Sequence, residues 1–78
     1  MNIFETVQRI VSEQFSVDAE RISENTDFQG ELGADSLDVV ELAVSVEDEF
    51  GIGEIAEEDI LKIHTVGDLV DYLRRVLD

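Results

Sequence analysis

Apolar residues Ile3, Val7, Ile10 and Val11 recur at helical spacing between Asn2 and Phe15, and Asn2 and Glu5 stand three apart, as in a capping box. This segment predicts a first helix. From Ser16 to Asp35 the period is lost, and Ser, Asn, Asp, Thr and two glycines accumulate. Within that stretch Val17, Ile22, Phe28 and Leu32 recur at intervals suited to pinning a loop onto a core. A connection of about 20 residues is long for a compact domain, so it should contain a short helical turn or carry a function.

Leu37 to Phe50 contains no helix breaker and shows two apolar faces when stepped around a helix. Val39, Leu42, Ala43, Val46 and Phe50 fall together and should turn inward. Leu37, Val40, Glu41, Val44 and Asp48 gather on the other side. Burying Glu41 and Asp48 would require partners, and basic residues are scarce, so this mixed face is expected in water and available for docking. Gly51-Ile52-Gly53 reads as a helix end and turn, and the acidic segment Glu54–Lys62 has room for one short helix. Thr65 with Asp68 marks an N-cap, followed by the stripe Val66, Leu69, Val70, Leu73, Val76 and Leu77, with Arg74 and Arg75 at the negative end of the dipole. With no period-2 strand and no repeat, the expected fold is all-α: a small four-helix bundle, three longer helices plus one short helix, with a long first loop.

The chain has 78 residues, read as the single domain 1-78, with no cysteine, proline or tryptophan. Such a domain buries only roughly 60% of the surface its unfolded chain exposes, so modest stability is expected. Twenty acidic residues against five basic ones give a formal net charge of -15. That balance argues against nucleic acid and anionic membrane surfaces and favours proteins carrying basic patches. The first residues lack the basic and apolar regions of a secretion signal, and no apolar run approaches the roughly 20 residues of a membrane span. A cytoplasmic monomer is the expectation.

Chemistry concentrates at Gly33-Ala34-Asp35-Ser36-Leu37-Asp38. A hydroxyl at the first position of a helix lies beside free N–H groups at the positive end of a dipole, which suits a phosphate ester. Ser36 is therefore the candidate modification site. A serine hydrolase is disfavoured, because the Gly-x-Ser-x-Gly elbow and a preceding strand are absent and His64, the sole histidine, has no evident role as a base. A calcium loop starting at Asp48 would place Phe50 and Ile52 where oxygen ligands belong, so no metal site is assigned. Glu54, Glu57, Glu58 and Asp59 read as a solvated face.

The run Glu31-Leu32-Gly33-Ala34-Asp35-Ser36-Leu37-Asp38-Val39-Val40-Glu41-Leu42, with Asp48-Glu49-Phe50-Gly51-Ile52 and Thr65-Val66-Gly67-Asp68 after it, closely resembles the discrete acyl carrier proteins of type II fatty acid synthesis. The likeness extends over essentially the whole chain. It implies no catalytic residue of the chain's own. It also implies esterification of Ser36 with 4′-phosphopantetheine from coenzyme A, whose terminal thiol carries acyl groups as thioesters. A chain without cysteine fits that division. The implied partners are a phosphopantetheinyl transferase and fatty acid synthesis enzymes with basic docking patches. Asp35, Asp38, Glu41, Glu47 and Asp48 are expected to attract them, and Leu37, Val40 and Val44 to supply contact area. Phe28, Val39, Ala43 and Val46 are the expected acyl pocket, small Ala43 leaving room. Three positions depart from the usual pattern, all around the third helix: Gly53 is an extra residue, Ala56 replaces a proline, and His64 replaces a small hydroxyl residue. A carrier for polyketide, peptidyl or D-alanyl transfer, or an unmodified acidic interaction protein, are the alternatives.

Overall fold

In the computed structural model, which describes residues 2–77, four helices follow one another: α1 (Ile3–Phe15), α2 (Ser36–Phe50), α3 (Glu57–Ile60) and α4 (Val66–Leu77). The long connection contains the expected helical turn, a 3-10 segment at Ala19–Arg21. Val7, Ile10 and Val11 of α1 meet Leu42 and Val46 of α2 and Val66, Leu69, Val70 and Leu73 of α4 in one core. Ile22, Phe28 and Ala34 carry the first loop into that core, while Val17 and Leu32 pack at its edge. The α4 stripe is buried through Leu73, but Val76 and Leu77, expected inward, surface in the last turn at 46% and 42% exposure.

Capping explains where the helices start. Asn2 Oδ1 accepts from Glu5 N at 3.0 Å, but the Glu5 carboxylate meets the Asn2 side-chain amide, not its backbone, so the predicted box is made in altered form. At α4 the exchange is complete: Thr65 Oγ1 accepts from Asp68 N, and Asp68 Oδ2 accepts from Thr65 N, both at 3.1 Å. Asp68 Oδ2 also accepts from His64 N at 2.9 Å, and that bond foremost holds its carboxyl below the usual carboxylate range. By contrast, Ala56 at the start of α3 offers no side-chain cap.

Backbone hydrogen bonds stitch the first loop to the head of α4. Phe28 N donates to His64 O, Val66 N to Thr26 O, and Gly67 N to Glu24 O, at 3.0, 3.0 and 2.8 Å. The same approach forms an isolated antiparallel bridge between Asp27 and Thr65. Thr26, at 2% exposure, is satisfied there because its Oγ1 accepts from Ser23 N. Gln8 Nε2 secures the other end of the loop, donating to Ala19 O and Ile22 O.

The closeness of this stitch requires glycine at position 67, where a Cβ would lie 2.9 Å from the Glu24 backbone oxygen. Fitting a methyl group there costs about 1–3 kcal/mol, against a gain of about 1 kcal/mol from placing alanine in a helix. Gly67→Ala should therefore show a net loss of unfolding free energy of up to about 2 kcal/mol in urea titration. An unchanged or raised midpoint would show that the loop is not held so closely.

Candidate functional site

The turn before α2 fixes its first residue. Glu31 N and Leu32 N both donate to Asp27 O, and Ala34 N donates to Phe28 O at 2.9 Å, so the chain folds back tightly after its stitched segment. Gly33 takes a φ of +67°, a left-handed conformation that side chains disfavour, and Ala34 is then drawn into the core. Asp35 is left as N-cap. Its Oδ1 accepts from Asp38 N at 2.9 Å, while Asp38 Oδ2 accepts from Asp35 N at 3.1 Å. Two residues expected only as docking charges therefore also build the helix start, at about 0.5–2 kcal/mol for such a cap.

Ser36 follows as the first residue of a helix of 15 residues, exposed to solvent. Asp38 N is used by Asp35 Oδ1 and Val39 N by Asp35 O, but the Ser36 and Leu37 N–H groups bond to none of the described residues. An ester phosphate on Ser36 Oγ would thus meet free donors and the positive end of the dipole. Asp35 and Asp38 place negative charge beside the same spot.

A cleft of about 550 Å³ runs from Ser36 between α2 and α3. Val39, Val40, Ala43, Val44 and Glu47 form its α2 wall, and Ile55, Ile60, Leu61 and Ile63 much of the other. Its size lies within the roughly 300–1,000 Å³ of small-molecule sites, and its aliphatic lining suits an apolar guest. Of the four residues expected around an acyl chain, Val39 and Ala43 line the cleft. Phe28 and Val46 do not: both are fully buried in the α1–α2–α4 core, turned away with the inward stripe. The α3 side was missed in the sequence because Ile55, Ile60 and Ile63 are dispersed among acidic residues, although those apolar positions were the available signal. His64 and Gln29 also line the cleft, and both are exposed.

The outer face of α2 carries Leu37, Val40 and Val44 at 62%, 44% and 56% exposure, with Glu41 and Asp48 exposed among them. Glu47 departs from the expected role of a free docking charge. It is half-buried, and its Oε2 accepts from Ile55 N at 2.7 Å. Arg9 bridges Glu13 and Glu49, and these bonds, Glu49 foremost, raise its already high pKa. Among the described residues no three His, Asp or Glu side chains converge as a metal site, and no helix is long and apolar enough to cross a membrane.

A family model described as "Phosphopantetheine attachment site" matches residues 5–73. The chain is similar to the acyl carrier proteins of Helicobacter pylori strains G27 and HPAG1. Each is 47% identical over 73 residues, which cover 94% of this chain and 92% of the relative.

Proposed function

The chain belongs to the acyl carrier proteins with a phosphopantetheine attachment site, and from that premise we propose that it delivers acyl intermediates to enzymes of fatty acid biosynthesis as a cytoplasmic monomer. Proteins of this family are carriers and not catalysts, and phosphopantetheine is their cofactor. When attached, the group supplies the thiol that a chain without cysteine lacks. The reading is carried by Ser36, an exposed hydroxyl on the first residue of a capped helix that opens directly onto an aliphatic cleft.

The chain's own residues divide the work. Ser36 Oγ is the attachment atom, and the free N–H groups beside it favour the phosphate charge. Val39 and Ala43, with Ile55 opposite, exclude water from an acyl chain lying in the cleft. Asp35, Asp38, Glu41 and Asp48 draw in partners with basic patches, including the phosphopantetheinyl transferase. Leu37, Val40 and Val44 make the apolar contact. Rim charges act mainly on encounter rate, so each partner can be met quickly and released quickly.

Incubation with coenzyme A and a phosphopantetheinyl transferase should add the mass of one arm to the protein and nothing to Ser36→Ala. No gain in the parent, or an equal gain in the variant, would overturn the assignment. Paired Glu41→Lys and Asp48→Lys substitutions should slow acyl transfer to a partner enzyme by about tenfold at low ionic strength, with most of the loss disappearing at about 0.5 M salt. Equal losses at both ionic strengths would rule out steering by these charges.

A further inference from the structure

We propose that Glu47 is a positioning residue of the cleft: its carboxylate, by accepting the hydrogen bond from the Ile55 amide, tethers the α3 wall against α2 and keeps a bound acyl chain covered. The proposal rests on the carrier reading above. At 2.7 Å the Glu47 Oε2···N distance is short, as charge-assisted bonds are. The amide belongs to the residue that seals the cleft, since Ile55 is 2% exposed and lines it with Ala43. The half-burial of Glu47 adds to the effect, because an acceptor withdrawn from water competes less with solvent for its donor.

Ile63 anchors the far end of this wall in the core, but little else holds its middle. The single turn Glu57–Ile60 is too short to be stable alone and begins without a side-chain cap. Among the regular elements of the described residues α3 packs only on α2. The tether is the only side-chain hydrogen bond among the described residues that joins α2 to the segment 53–60. Electrostatics pushes the other way, since Glu54 and Glu57 line the same cleft as Glu47 and repel it. Gly53 and Ala56 impose no backbone restraint of the kind proline would. The wall is thus a low-stability unit whose opening is governed by few contacts.

Two substitutions separate a tether from a docking charge. Glu47→Ala removes the acceptor, whereas Glu47→Gln removes the charge and keeps an oxygen able to accept from Ile55 N. Amide hydrogen exchange on the unloaded protein should show Ile55 accelerated about tenfold or more by Glu47→Ala, with the α4 core amides Leu69 and Leu73 unchanged. In the octanoyl-loaded protein, without partner enzymes, Glu47→Ala should speed hydroxylamine cleavage of the thioester several-fold. Glu47→Gln, which keeps an acceptor but loses the charge assistance, should fall between the parent and Glu47→Ala in both measurements. The tether is overturned if Ile55 stays protected in Glu47→Ala, if the Gln and Ala variants behave alike, or if the α4 amides accelerate equally. Faster Ile55 exchange with unchanged cleavage overturns its covering role. Failure of the parent to load at Ser36 would sink the carrier reading instead, while exchange on the unloaded protein would still decide the tether.

Discussion

The three backbone hydrogen bonds between the first loop and the head of α4 are the constraint on which the rest depends. They hold Glu24, Thr26 and Phe28 against Gly67, Val66 and His64, and so set the point from which the turn to Ala34 departs. That turn delivers Asp35 as a cap, and the cap makes Ser36 the first residue of α2. A reactive position on a loop is ordinarily mobile. Here three of the loop's backbone groups are bonded to the head of α4 and to His64 just before it, so the serine is exposed in its side chain and held in its backbone.

Charge shapes what surrounds that fixed point. Among the described residues the ion pairs lie at the surface, where each is worth about 0–1 kcal/mol, so they do little to offset a net charge of -15. The core bears the stability instead, through Val7, Val11, Phe28, Val46, Val66, Val70 and Leu73, all fully buried. Exposed Leu37, Val40 and Val44 can therefore remain outside without forfeiting the fold.

The helices were legible in the sequence because aliphatic periodicity and capping are local. Val66, Leu69, Val70 and Leu73 turn inward as the spacing requires, and the Thr65–Asp68 pair caps as its separation requires. The place of Ser36 at the head of α2 was legible for the same reason, although its two flanking aspartates were expected as docking charges and not as the cap they form. The cleft was only half legible. Val39 and Ala43 share a helix face, but their opposite wall comes from Ile55, Ile60 and Ile63 across an irregular segment, and no local period announces that pairing. Phe28 and Val46 are as apolar as a cleft requires, yet the core claims them because the stitched loop and α4 reach them first. Glu47 resembled its acidic neighbours until the Ile55 amide was found against it.

The central claim is that an acyl chain borne by Ser36 shelters between α2 and α3. It is tested most directly by isotope-filtered nuclear Overhauser spectroscopy on protein loaded with an unlabelled octanoyl chain. Contacts from the chain methylenes to the methyl groups of Val39, Ala43 and Ile55 are the expected result. Contacts confined to the Phe28 and Val46 side of α2, or a chain touching no methyl group, would contradict it.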